Sequence, residues 1–301
     1  MSVIEALPRE IPIPPHQVRP QNLIITLFGL YRRSAGTAMP VAALVGLLGD
    51  LGCDEPGVRS AVSRLKSKGI LKSSPVNGVA AYDLSESVKA TFDEGDQRIF
   101  AEDPHRELND WALVLFSVPE SMRHLRHQVR KNLRDLGFGI VASGVSIGAG
   151  QLLDQARERL ARNGLIEYVQ FFRGEYFFSG DVRSQVAQWW DLDAVDASLQ
   201  QFLEFYENAV ELWSHRLVEE PAAAEGDESS LTRQAFQYYV PMLTMWRRLP
   251  YQDPNLPQEY LPIGWKEPAA RAAFVGTHHR IGSLASGYVA QRVADYLPGD
   301  R

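Results

Sequence analysis

The sequence predicts an α+β protein in three parts: an N-terminal winged helix-turn-helix, a central ferredoxin-like domain and a mainly helical C-terminal domain. Three observations carry this reading. Three short helical patterns, separated by glycine breaks, precede an Asn77-Gly78 pair set between two strand-like runs. Strand, helix, strand, helix and strand patterns follow between Trp111 and Phe178. Long helical patterns rich in aromatic residues then run to Tyr296. With 301 residues, 45% of them hydrophobic, the chain can bury more than one core. The predicted boundaries are a proline-rich arm (1–19), the winged module (20–92), a linker (93–109), the ferredoxin-like domain (110–180) and the helical domain (181–301).

Residues 1–20 hold five prolines and little pattern, as an extended arm would. Over 20–33, Leu23, Leu27 and Leu30 share one helical face, and Gly36 breaks the pattern. Over 40–51, Leu44, Leu47 and Leu48 point inward and Gly52 is the stop. A third helix spans 54–68, with Asp54 as N-cap, Pro56 in the first turn and Gly69 as its end. Residues 70–84 read as two strands around Asn77-Gly78, the strongest two-residue hairpin signal.

The third helix is the most informative stretch. Val58, Ala61, Val62 and Leu65 form an apolar stripe at helical spacing. Arg59, Ser60, Ser63, Arg64 and Ser67 point the other way. A face of small, hydroxyl and basic residues suits a DNA major groove, since guanidinium groups read guanine edges and hydroxyls reach phosphates. Arg59 and Arg64 are the candidates for base or phosphate contact, with Ser60 and Ser63 beside them. Lys66 and Lys68 on its flanks, and Lys72 at the hairpin, are candidates for the phosphate backbone. A structural role stays open for either arginine, as the partner of Asp54 or Glu55.

Residues 86–106 are polar and read as a helical linker. Strands are predicted over 111–118, 138–147 and 165–172, with further strand material over 176–178, and helices over 121–136 and 152–162. Residues 191–218 are helical and acidic, 221–230 a mobile loop, 233–246 helical, 249–267 proline-rich, and 269–296 a closing helix. The net charge of −6 hides an asymmetry. Residues 20–92 carry eight basic against five acidic side chains, whereas 185–232 carry one against eleven. A basic end on an acidic body attracts phosphate locally and repels it elsewhere. The single cysteine, Cys53, excludes an internal disulfide and a cysteine-built zinc site. No apolar run reaches membrane length, and the N-terminus lacks the pattern of a secretory signal, so a cytoplasmic location and no membrane partner are expected.

Taken together, these residues resemble the PaaX family of bacterial transcriptional repressors. The resemblance rests on Gln21-Asn22-Leu23-Ile24-Ile25-Thr26-Leu27-Phe28-Gly29, on Val58 to Leu65 followed by Gly69, and on Asp110-Trp111 leading into Leu115-Phe116-Ser117-Val118-Pro119-Glu120. It continues through Gly137-Phe138-Gly139, Trp246-Arg247-Arg248-Leu249, Asp253-Pro254-Asn255-Leu256-Pro257 and Leu261-Pro262, in the expected order over nearly the whole chain. It implies a homodimer that blocks a phenylacetate-type catabolic operon on double-stranded operator DNA. It also implies release by an aryl-acyl coenzyme A, typically phenylacetyl-CoA, with no cofactor, no metal and no enzymatic activity.

Several features allow other uses. Arg123, Arg126, Arg130 and Arg134 line one helix face, with Lys131 nearby. This row fits a cradle for coenzyme A phosphates, a surface for an acidic partner, or a solvated face. Trp189, Trp190, Trp213, Trp246 and Trp265 fit either effector stacking or core packing. Gly144-Val145-Ser146-Ile147-Gly148 matches a nucleophile elbow, which leaves a serine hydrolase acting on a thioester through Ser146 as the alternative, but no oxyanion segment precedes it. His124 and His127 lack a third ligand at suitable spacing. The middle domain also resembles the ferredoxin-like CRISPR-associated nuclease fold, whose metal-binding aspartate is replaced here by Ser117, so a dimerisation role is expected instead. A metal-independent DNA-binding scaffold without effector is the remaining alternative.

Overall fold

The computed structural model describes residues 19–34, 38–102, 108–219 and 228–297. All but the last residue of the expected arm over 1–19 and most of the expected loop over 221–230 lie outside these residues. The chain runs α1 (Pro20–Ser34), β1 (Met39–Pro40), α2 (Val41–Asp50), α3 (Glu55–Ser67), β2 (Leu71–Ser73), β3 (Ala81–Leu84), α4 (Glu86–Ile99) and β4 (Trp111–Phe116). It continues with α5 (Arg123–Arg134), β5 (Gly139–Ala142), β6 (Val145–Ala149), α6 (Leu153–Arg162), β7 (Val169–Gly174), α7 (Val182–Trp189) and α8 (Leu192–Tyr206). Last come α9 (Ala209–Glu219), α10 (Glu228–Trp246), α11 (Leu249–Gln252) and α12 (Glu267–Ala294). The chain forms two compact units: one from residues 1–100, 202–246 and 270–301, the other from 101–201 and 247–269.

In the first unit, the three helices and the hairpin stand in the order expected of a winged helix-turn-helix. Helix α1 buries Leu23, Ile24, Leu27, Phe28 and Leu30 to 3% exposure or less. It needs this many apolar positions because it packs on α2, α3 and α10 at once. Inside that packing the Thr26 hydroxyl donates to the Asn22 carbonyl at 3.0 Å and lies 2.8 Å from the Thr244 hydroxyl of α10. Two buried hydroxyls thus satisfy each other between helices. Strands β1, β3 and β2 form an antiparallel sheet in that order. Leu71 pairs with Leu84, and Asn77 and Gly78 turn the hairpin with φ of 48° and 80°. Positive φ at both central positions matches the right-handed twist of the strands.

Helix α2 ends on Asp50, where a carboxylate meets the negative end of the helix dipole. Four side chains from α10 and α12 offset this. Arg233 reaches Oδ1 at 2.7 Å, the Tyr288 hydroxyl donates to Oδ2 at 2.7 Å, and Arg292 Nε lies 3.9 Å from Oδ2. Gln237 donates to the Asp50 main-chain carbonyl at 2.8 Å. Gly46 makes room for this clasp, since a Cβ there would meet the Arg292 guanidinium at 3.1 Å.

The second unit is built on the antiparallel sheet β5-β6-β4-β7. Alternation along β4 sends Ala112, Val114 and Phe116 into a core with Val129 and Leu133 of α5 and Ala156 and Leu160 of α6. Trp111 is also buried, and Tyr176, Phe178, Trp189 and Tyr260 surround its ring at centroid distances of 5.7–6.4 Å. The structure corrects two expectations. Residues 138–147 do not form one strand: β5 and β6 are a hairpin turned by Ser143-Gly144, with Gly144 at φ 92°. Residues 176–178 add no strand, because the Tyr176 and Phe178 rings pack around Trp111 instead of extending the sheet.

Two of the segments that carry the resemblance organise this unit. Asp110 holds Arg173 at 2.6 Å, and its carboxylate fills the space a Cβ of Gly150 would take. Asp253, 3% exposed, accepts from Asn255 N at 2.7 Å and from the Trp265 indole at 2.8 Å, which fixes the turn through Asn255 at φ 52°.

The Asp50 clasp can be tested through Tyr288. Removing its hydroxyl with Tyr288→Phe should cost about 1.5–3 kcal/mol, as expected for a hydrogen bond to a charged group, read from urea unfolding. The Tyr288 hydroxyl is pushed up to about 12, first by burial and then by its bond to Asp50. Free tyrosine ionises near about 10, so above that pH the unfolded chain releases a proton that the folded protein keeps. This contribution is whole below pH 10 and is lost as pH rises through the folded-state value. The variant should show a flatter decline over that window.

Candidate nucleic-acid interface

Helix α3 is set by local chemistry. Asp54 caps it, its carboxylate accepting from Gly57 N at 3.1 Å, and Pro56 fits the first turn, where its missing donor costs nothing. A Cβ at Gly57 would come within 2.7 Å of the Asp54 carboxylate, so the cap itself calls for glycine there. Gly69, at φ 69°, takes the chain out of the helix. Val58, Ala61, Val62 and Leu65 are buried to 5% exposure or less. This leaves Arg59, Ser60, Ser63, Arg64, Lys66, Ser67 and Lys68 exposed. The helix therefore presents one continuous face with serines along its middle and basic groups at its edges.

The basic side chains are not equivalent. Arg59 is held by Glu55, one turn earlier, at 2.7 Å. Arg64 is exposed and makes no ion pair among the described residues. Lys66 lies 6.0 Å from the centre of the Tyr82 ring on β3. Lys72 is pulled back toward α4: its ammonium bonds Glu86 at 2.9 Å, and Lys89 bonds the same carboxylate at 2.7 Å. The two lysines hold the Glu86 carboxyl at about 2, Lys89 contributing most. Sequence reasoning missed this knot, because Lys72 reaches it from β2 while Glu86 and Lys89 lie on α4. Cys53 sits half-buried just before the cap, and burial, then the Asp54 carboxylate, push its thiol up.

The row on α5 is partly committed. Arg126 donates to the Val118 carbonyl at 3.1 Å and lies 3.5 Å from Glu120, and Arg130 reaches Ser143 at 3.4 Å. Arg123 and Arg134 are exposed. Ser146 lies inside β6, paired with Val114 and Ile140 and 2% exposed. No strand-to-helix elbow forms at it, since β6 runs on to Ala149. Ser117 follows the end of β4 and donates its main-chain N–H to the Tyr168 carbonyl at 3.0 Å. The five tryptophans are at most 9% exposed, which makes them packing residues. His124 and His127 are exposed.

Known proteins match this arrangement along its length. Residues 19–88 match the family described as PaaX-like protein, 106–186 the PaaX protein central Cas2-like domain, and 190–291 the PaaX-like protein C-terminal domain. The chain belongs to the PaaX family. It is 25% identical over 275 residues to the transcriptional repressor PaaX of Escherichia coli K12, covering 90% of this chain and 83% of that one. An uncharacterised protein of Mycobacterium tuberculosis, Rv0674, shares the fold with a TM-score of 0.53 at 18% identity, over 90% of this chain and 99% of the other.

The cap on α3 gives a stability prediction. Asp54→Ala should lower stability by about 1 kcal/mol in denaturant titration, with an unchanged m-value.

Proposed function

We propose that this chain is a DNA-binding transcriptional repressor of a phenylacetate-type catabolic operon, released from its operator by an aryl-acyl coenzyme A such as phenylacetyl-CoA. The observation that carries the DNA half is the exposed face of α3: Arg59, Ser60, Ser63 and Arg64 project from a helix whose other side is fully packed. Membership of the PaaX family, and a relative named as a transcriptional repressor, support the same reading. Lys66 and Lys68 add phosphate contacts at its margins, and Lys72 joins them only by leaving Glu86. A homodimer sets two copies of α3 on an inverted repeat in successive major grooves, and the central domain supplies the dimer contact.

Release requires the effector to bind the DNA-incompetent state more tightly, since equal affinity shifts nothing. The α5 row is the sequence candidate for the coenzyme A phosphates. With Arg126 and Arg130 already engaged, Arg123 and Arg134 are the members best placed to serve.

A mobility shift on DNA upstream of the gene tests the reading. The protein should retard it, and phenylacetyl-CoA should release it. Release by free phenylacetate with no effect of the thioester would overturn the effector assignment. Arg64→Ala should cost about 1–3 kcal/mol on the operator and relax discrimination at one position. Lys68→Ala should weaken all sequences alike and lower the salt slope by about 1. Equal losses on operator and random DNA for Arg64→Ala would demote that residue to a phosphate contact.

A further inference from the structure

The first unit contains a pocket of about 600 Å³ at the end of a column of rings on α12. Positions 274, 278, 282 and 286 of α12 recur every four residues and form one stripe. Phe274 stacks on Trp246 with centroids 5.0 Å apart and planes 18° apart, and His278 lies 6.0 Å beyond, within 7° of parallel. Phe100, just past α4, leans on both Phe274 and His278, at 5.8 Å and 4.8 Å. At Gly282 and Ser286 the rings stop and the pocket opens. The His278 imidazole is fixed there: its Nδ1 is 2.6 Å from the Tyr239 hydroxyl, and a Cβ on Gly282 would come within 2.6 Å of it.

The lining defines a chemistry. Phe100 and His278 bring rings to the lining, and Ser283 and Ser286 bring hydroxyls. Asp96 places a carboxylate among them, which opposes a ligand carrying its own carboxylate. The volume falls in the range of about 300–1,000 Å³ typical of small-molecule sites. Leu30, from the last turn of α1, closes the pocket and is 2% exposed. Helix α3 packs on α1, so a ligand that displaces Leu30 acts on the seat of α3.

We infer that this pocket seats the aromatic end of the effector, an aryl group joined to an uncharged carbonyl, and that occupancy reaches α3 through α1. The inference rests on the effector reading above and adds the place, the preferred end and the route. Calorimetry on the full-length protein tests it, with phenylacetyl-CoA and phenylacetate as probes. The thioester should bind at least tenfold more tightly than the acid. Ser286→Leu fills the pocket from its rim and should weaken thioester binding at least tenfold, with melting temperature and effector-free DNA retardation unchanged. Ser283→Leu is the second variant should the first fail to fold. Wild-type affinity in a folded variant, while the thioester still releases DNA from the wild-type protein, would remove the pocket and leave the effector reading standing. No thioester binding to the wild-type protein would remove both. Equal affinity for phenylacetate would overturn the uncharged-carbonyl preference.

Discussion

The carboxylate of Asp50 ends a helix where a negative charge is least welcome; three side chains from two distant segments converge to hold it, and a fourth, Gln237, holds the main-chain carbonyl of the same residue. Without them α2 would end on an unsatisfied charge against its own dipole. With them, residues near 50 and residues beyond 230 become parts of one cooperative unit. The Thr26–Thr244 contact and the packing of α1 between α3 and α10 join the same elements a second time. Helix α3 is thus no appendage on a flexible tether, because its support is the inner surface of the unit that also carries α12.

This construction explains how one short helix carries so exposed a polar face. Its four apolar side chains are spent entirely on packing, and its start is set by a cap and a proline. The outer face makes only exposed contacts of its own: the Arg59–Glu55 pair, by the usual measure worth well under about 1 kcal/mol, Lys66 near the Tyr82 ring, and the Ser67 hydroxyl on the Arg64 carbonyl. The outer residues are therefore available to answer to a partner.

What was legible in the sequence was local. The cap at Asp54, the stop at Gly69 and the stripe through Leu65 are written within one helix, as is the Asn77-Gly78 turn. The Ser143-Gly144 turn was hidden because it interrupts an apolar run with one small polar residue and one glycine, a weak signal between strands. Tyr176 and Phe178 have strand-forming side chains, but tertiary packing around Trp111 decides their place. The lysines were legible as charges but not as the knot that draws Lys72 to Glu86. Leu30, Phe100 and Gly282 line one pocket although they are far apart in sequence, and no periodicity announces that meeting.

Cys53 gives the first unit one more property. Thiols react as thiolates, and burial together with the neighbouring Asp54 carboxylate keeps this one protonated. It is the only sulfhydryl in the chain. The start of α3 thus carries a thiol with a smaller thiolate fraction than an exposed cysteine would have there.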